Sequence, residues 1–117
     1  MELSAETVDG VTVVTVRTDF LDANNSRPFK DKVLELLNPS SPRVLLDLTQ
    51  VQFIDSTGCG ALLACLRRLT ELGGELKLCC ITSPVRALFD LVRMSRILEI
   101  HKTRAEALRS FRGAGAR

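Results

Sequence analysis

Aromatic residues are scarce in this chain of 117 residues: five Phe are its only aromatic side chains, and Trp and Tyr are absent. Sites that bind bases or sugars by stacking depend on aromatic rings, so the composition argues against both functions. Neither sign of charge predominates, because the net charge is only +2. So small a charge does not favour binding to nucleic acid or to a membrane surface. No segment contains the about 20 apolar residues that a membrane span requires.

The residues needed for catalysis are also few. The single His of the chain, His101, follows a short predicted strand. No Gly-x-x-x-x-Gly-Lys phosphate-binding loop is present. Ser56 does not lie in a Gly-x-Ser-x-Gly elbow, since Phe53 and Ile54 precede Asp55. A hydrolase requires a nucleophile beside a base, so we expect a protein that is not an enzyme and uses no cofactor.

The cysteine pattern argues against a metal site. Cys59 and Cys65 are six residues apart, which matches no metal-ligand signature. Cys79 and Cys80 are adjacent and do not pair easily with each other. We therefore predict reduced thiols and a cytoplasmic location. The N-terminus agrees with this location, because it lacks the basic and apolar regions of a signal peptide.

The length predicts one domain over residues 1–117, with a disordered basic tail after about residue 112. Strands are predicted at residues 2–8, 11–16, 44–48 with 51–54, 75–81 and 97–100, and helices begin near residues 26, 56, 83 and 103. Asp9-Gly10 favours a hairpin turn between the first two strands. The order β-β-α-β-α-β-α-β-α predicts an α/β fold with a single mixed, largely parallel sheet and helices packed on it.

Helix starts and inward faces follow from the same patterns. Ser26 is expected to cap the first helix, with Pro28 in its first turn. Ser83 is expected to cap the third helix in the same way. Helical spacing predicts that this third helix turns Val85, Leu88, Phe89 and Val92 inward.

Two predicted loops are candidates for function, because sites in such folds lie beyond the carboxyl ends of strands. One runs from Thr18 to Asn25. The other is Asp55-Ser56-Thr57-Gly58-Cys59-Gly60, between an apolar strand and a helix. Simple capping by Asp55 or Ser56 is one interpretation of the second loop.

Besides its position beyond the carboxyl end of a strand, two features of this loop favour a further role. It carries more hydroxyls than one cap needs. Two glycines in a first helical turn cost about 1 kcal/mol each relative to alanine. Together with Ala61 and Ala64, Gly58 and Gly60 would leave the start of the helix almost bare. We therefore expect another protein to approach this helix closely.

The sequence resembles the STAS family, the domain shared by sulfate transporters and anti-sigma factor antagonists. The resemblance covers essentially the whole chain. It is carried by Val44 to Leu48, Val51 to Ile54, Asp55-Ser56-Thr57-Gly58 with Gly60, Leu72-Gly73-Gly74, Leu76 to Ile81, and Pro84-Val85-Arg86-Ala87-Leu88-Phe89.

The resemblance implies a phosphorylation switch. In relatives with this motif, a serine kinase that is itself the anti-sigma factor phosphorylates the residue after the Asp, which is Ser56 here. Asp55 would orient the Ser56 hydroxyl or accept a hydrogen bond from it, and Asp22 matches an acidic loop residue near that serine. Thr57 is the second-choice acceptor. Cys59 replaces a more common Leu and is expected near the contact surface.

The implied partners are this anti-sigma factor and a phosphatase, and the implied output is sigma-factor-dependent transcription in bacteria. Arg67 and Arg68 either pair with an acidic partner or form a solvated face. We expect a monomer or weak dimer. The alternative is a non-phosphorylated scaffold subunit of a lipid-transport or stress-sensing assembly. The predicted partner-binding residues are Asp22, Asp55, Thr57, Gly58, Cys59, Gly60, Ala61, Ala64 and Arg67.

Overall fold

A computed structural model describes residues 2–115, with side chains described as far as Phe111. In chain order, the elements are β1 (Leu3–Val8), β2 (Val11–Val16), β3 (Phe20–Leu21), α1 (Ser26–Leu36), β4 (Arg43–Asp47), β5 (Phe53–Ile54), α2 (Ser56–Glu71), β6 (Glu75–Cys79), α3 (Ser83–Val92), a 3-10 turn (Met94–Arg96), β7 (Glu99–His101) and α4 (Arg104–Gly115).

The main sheet has five strands in the order β1-β2-β4-β6-β7. The β1–β2 pair is antiparallel, and every other neighbouring pair in this sheet is parallel. Asp9 and Gly10 form the predicted hairpin turn, with φ of 50° and 79°. Positive φ at both central residues gives a turn that matches the twist of the strands. The predicted mixed, largely parallel α/β fold is confirmed.

Helices cover both faces of this sheet, which explains the nearly continuous apolar run in β4. Leu46 belongs to the large core that packs under α1, α2 and α3. Its neighbour Leu45 points to the opposite face, where Ala107 and Phe111 of α4 pack. Successive side chains of a strand alternate between faces, so a strand covered on both sides is apolar throughout.

The structure adds a small second sheet that the sequence did not predict. Phe20 of β3 pairs with Phe53 of β5, and Leu21 pairs with Ile54, in parallel register. The predicted loop over residues 18–25 therefore contains a strand, and the strand predicted over 51–54 lies outside the main sheet. Leu21 and Ile54 are almost fully buried, so this short pairing is held by the core beneath it.

Three local predictions were wrong. Ser26 and Ser83 are the first residues of their helices, and the N-caps are Asn25 and Thr82. The Ser26 side chain is instead almost buried. Val92 does not face inward, because it lies at the end of α3 and is half exposed.

The C-terminal helix α4 is described to Gly115 for its backbone and to Phe111 for its side chains. Thr103 accepts a hydrogen bond from the Glu106 amide at 3.1 Å and so caps the helix that was predicted to begin near residue 103. The backbone of α4 continues to Gly115. Residues 116 and 117 lie outside the described residues, so the disordered tail stays a prediction. Among the described helices, none combines the length and apolar character needed to cross a membrane.

Candidate functional site

The candidate site lies where β5 ends and α2 begins. Asp55 is the N-cap of α2, and its Oδ1 accepts a hydrogen bond from the Gly58 amide at 2.9 Å. The Asp55 amide donates to the Leu21 carbonyl at 3.1 Å. The Asp55 carboxylate therefore caps α2, as one of the two interpretations of this loop predicted. Within the described residues, no hydrogen bond joins it to the Ser56 hydroxyl.

Ser56 and Thr57 are the exposed hydroxyls of the motif. Although adjacent, they face different grooves. Ser56 lines an open groove of about 340 Å³ between α2 and the end of α3. Thr57 lines a second groove, of about 380 Å³, between α1 and α2. The start of α2 is thus a ridge with one candidate acceptor on each side.

The two glycines of the motif have different roles. A Cβ at Gly58 would lie 2.4 Å from the Leu21 carbonyl oxygen and 2.8 Å from a methyl carbon of Ile54. Gly58 is therefore needed for internal packing of α2 against β3, and it is buried. A Cβ at Gly60 would meet nothing within 4 Å. The bare surface expected from both glycines is present only at Gly60.

Cys59 and Ala61 are also turned inward, because α2 packs on the core with this side. They are 8% and 9% exposed, so they offer little surface to a partner. Burial and the nearby Asp55 charge both raise the pKa of the Cys59 thiol. Ala64 is partly exposed and Arg67 is exposed. Cys59 and Ala61 nevertheless each line a groove beside the start of α2, Cys59 with Ser56 and Ala61 with Thr57. Partner contact stays a prediction for these two residues, as it does for Gly60, Ala64 and Arg67.

Asp22 lies beside the site, because it follows Leu21 of β3 directly. Its Oδ1 accepts a hydrogen bond from the Asn24 amide at 2.9 Å. The Asn25 side chain closes the same loop by accepting from the Asp22 amide and donating to the Phe20 carbonyl. Asp22 therefore shapes the loop that carries it, and the half-buried carboxylate remains available near the start of α2.

An apolar surface next to Ser56 was missed by sequence reasoning. Val92 and Ile97 are 48% and 55% exposed, and they line the groove that Ser56 borders. Leu63, Leu88 and Met94 complete its apolar wall. The helical spacing of α3 predicted more inward-facing apolar residues than the core accommodates. This excess was the signal in the sequence that could have indicated an exposed apolar surface.

A second cluster lies at the far face of the sheet. Asp47, Cys79 and Cys80 place a carboxylate oxygen and two sulfurs within 4.8 Å of one another. The Asp47 carboxylate, however, accepts from Arg104 at 2.8 Å and from the Thr49 amide at 2.9 Å. This arrangement ties α4 to the sheet, and no spacing in the sequence signalled it.

The charges of this cluster fit an ion pair better than a bound cation. Burial alone raises the pKa of the Asp47 carboxyl, but hydrogen bonds from Thr49 and Arg104 outweigh burial and hold the pKa below its usual value. Burial raises the pKa of the Cys79 thiol, as do Cys80 and the Asp47 charge. The neutral Cys79 thiol would have to lose its proton before it could bind a metal.

Comparison with known proteins relates the chain to one family. The model of the STAS domain matches residues 2–107. BtrV of Bordetella bronchiseptica, named as a candidate anti-sigma factor antagonist, is 25% identical over 114 residues, which cover 97% of each chain. The crystal structure of an anti-sigma factor antagonist from Mycobacterium paratuberculosis superimposes with a TM-score of 0.82 at 23% identity, covering 95% of this chain and 93% of that one.

The anti-sigma factor antagonist SpoIIAA has a similar fold in its unphosphorylated form. The TM-score is 0.69 at 20% identity, and the match covers 96% of this chain and 99% of SpoIIAA. SpoIIAA of Bacillus in its phosphorylated form matches with a TM-score of 0.68 at 19% identity, covering 95% of this chain and all of that one. The match of the domain model to nearly the whole described structure, together with the five-stranded fold, shows that this chain belongs to the STAS domain family.

Proposed function

We propose that this chain is an anti-sigma factor antagonist that binds an anti-sigma factor with serine-kinase activity and is released when Ser56 is phosphorylated. The observation that carries the proposal is the exposed Ser56 side chain at the first residue of α2, bordering an open apolar groove. A kinase can reach this hydroxyl, and a partner seated there would contact it. The names of BtrV and SpoIIAA support the same regulatory class.

The fold should tolerate a phosphate at this position. Ser56 is exposed, so the phosphate stays in water and carries no cost of burial. The positive end of the helix dipole favours a nearby negative charge by about 0.3–1 kcal/mol. We therefore expect phosphorylation to leave the domain folded and to act on its contact surface.

Phosphorylation should strongly change the charge of the contact surface around Ser56. Phosphorylation adds a charge of about −2, directly beside the half-buried Asp55 carboxylate. Repulsion between this phosphate and a partner carboxylate about 6 Å away would be about 1 kcal/mol in water and about 5 kcal/mol at an effective dielectric of 20. That corresponds to a loss of affinity from roughly tenfold to several-thousandfold. A switch of this size requires no conformational change.

The proposal is tested by intact-mass analysis of the chain after incubation with ATP and native cell lysate. The wild type should gain one phosphoryl group, and the Ser56→Ala variant should gain none. Thr57→Ala is the matched control, because Thr57 is adjacent and also exposed, and it should be phosphorylated like the wild type. Loss of phosphate in Thr57→Ala alone would move the acceptor to Thr57.

Binding to the kinase recovered from that lysate tests the switch. Ser56→Ala should bind constitutively, and Ser56→Asp should bind at least tenfold more weakly while remaining folded. Equal affinity of the wild type and Ser56→Asp would refute the electrostatic mechanism. A wild-type chain that never gains phosphate would instead favour the role of a non-phosphorylated scaffold subunit.

A further inference from the structure

The groove between α1 and α2, on the Thr57 side of the ridge, has features of a recognition site that the phosphorylation motif does not explain. Its volume is about 380 Å³, and it is open to solvent. Ser26, Arg27 and Lys30 of α1 form one wall, and Thr57, Gly60 and Ala64 of α2 line the other side.

Two cations of this groove have no acidic partner. Within the described residues, neither Arg27 nor Lys30 takes part in a salt bridge, and no acidic residue lines the groove. Two other cations on these helices are paired, since Lys32 lies 3.8 Å from Glu35 and Arg68 lies 3.3 Å from Glu71. Arg67, outside the groove, also has no salt bridge within the described residues. The groove therefore carries uncompensated positive charge.

Ser26 adds a neutral polar residue to the α1 wall. It is only 5% exposed, yet it lines the groove. Among the described residues, no buried side-chain nitrogen or oxygen lacks a hydrogen-bond partner. The positive charge of Arg27 and Lys30 is therefore the feature of this groove that favours a particular ligand.

The α2 side of the groove is suited to a polypeptide. A Cβ at Gly60 would meet nothing within 4 Å, and Ala64 one turn later is also small. Small residues allow the backbone of another segment to approach a helix closely. An open groove with a small-residue wall and two free cations fits an acidic segment of a protein better than a single small ion.

We propose that this groove receives an acidic segment of the protein partner, with carboxylates of that segment on Arg27 and Lys30. The inference rests on the proposed function, because the partner is the one whose docking Ser56 controls. It also supplies the acidic group that the switch requires. A phosphate on Ser56, next to Thr57, would repel these carboxylates.

The test is a phage-displayed library of random peptides, selected on the full, unphosphorylated chain. Recovered peptides should be enriched in Asp and Glu. They should bind Lys30→Glu at least tenfold more weakly than the wild type, and Lys30→Gln should be intermediate. Lys32→Glu is the matched control, because Lys32 lies on the same helix outside the groove, and it should bind within about twofold of the wild type. Circular dichroism should show that all three variants are folded.

Three results would overturn the inference: no selected peptides, no enrichment in acidic residues, or equal binding to the wild type and Lys30→Glu. Binding should also weaken with added salt, because the contacts are ionic. The selection uses no kinase and no ATP. If acidic peptides bind the groove but the intact-mass analysis shows no phosphate on Ser56, the groove proposal stands and the proposed function is refuted. If Ser56 is phosphorylated but no acidic peptides bind, only the groove proposal is refuted.

Discussion

Replacing Gly58 with Ala is the most direct test of how the site is built. The new Cβ would lie 2.4 Å from the Leu21 carbonyl oxygen and 3.0 Å from the Leu21 carbonyl carbon. These are backbone atoms of β3, so no side-chain rotation relieves the clash. Either β3 or the first turn of α2 must move, and the Asp55 cap is attached to both through its amide and its carboxylate.

The magnitude follows from two opposing effects. Overpacking of this kind costs about 1–3 kcal/mol, whereas Gly→Ala in a helix gains at most about 1 kcal/mol. We expect Gly58→Ala to lower the free energy of unfolding by about 1–2 kcal/mol. Gly60→Ala is the matched control, because its Cβ meets nothing within 4 Å. It should raise the free energy of unfolding by about 0.5–1 kcal/mol.

Urea unfolding followed by far-ultraviolet circular dichroism measures both variants, since the chain has no Trp or Tyr for fluorescence. The midpoints should move in opposite directions while the slope m stays constant. The reasoning is refuted if Gly58→Ala is as stable as the wild type, or if Gly60→Ala is destabilised to the same extent. The first result would mean that Leu21 does not exclude a side chain at position 58. The second would mean that position 60 requires glycine for a reason other than the approach of Leu21.

Three further predictions concern the cap, the ion pair and the thiols. Asp55→Ala should lower the free energy of unfolding by about 1 kcal/mol, because the Gly58 amide loses its acceptor, and Asp55→Asn should lose less in the same urea assay. Asp47→Asn should lower the free energy of unfolding by about 1–3 kcal/mol at pH 7. Because the folded-state pKa of Asp47 is lowered, this difference from the wild type should be complete above the unfolded pKa of about 3.9. In urea titrations it should shrink as the pH falls through the folded-state pKa. Alkylation followed by peptide mapping should modify the partly exposed Cys80 before Cys65, since burial raises the pKa of the Cys65 thiol to about 12; faster modification of Cys65 would contradict its burial.

Local patterns in the sequence were sufficient for most of the main sheet. The β-branched run of β2 and the Asp9-Gly10 turn predicted the hairpin, because both depend on neighbouring residues alone. The start of α2 was also predictable, since the Asp55 carboxylate caps an amide only three residues away. The N-caps of α1 and α3 were missed by one residue, because the predicted caps, Ser26 and Ser83, are polar residues that directly follow the observed caps.

The candidate site itself was predicted only in part. Ser56 and Thr57 were expected to be accessible, and both are exposed. Cys59 and Ala61 were expected to contact a partner, but a run of small residues does not reveal which of them faces the core. The groove cations Arg27 and Lys30 were missed, because they become part of the site only when α1 packs beside α2.

By itself, the sequence determined the order of the main-sheet strands and of the helices, the hairpin turn and the placement of the Ser56 hydroxyl at a helix start, because each depends on residues within one turn or one strand. Tertiary structure decided the rest. Pairing of Phe20 with Phe53 brought Leu21 against Gly58, and the contact of Asp47 with Arg104 joined residues 57 positions apart. Such contacts depend on how the elements pack in space, and no periodicity along the chain indicates which distant elements pack together.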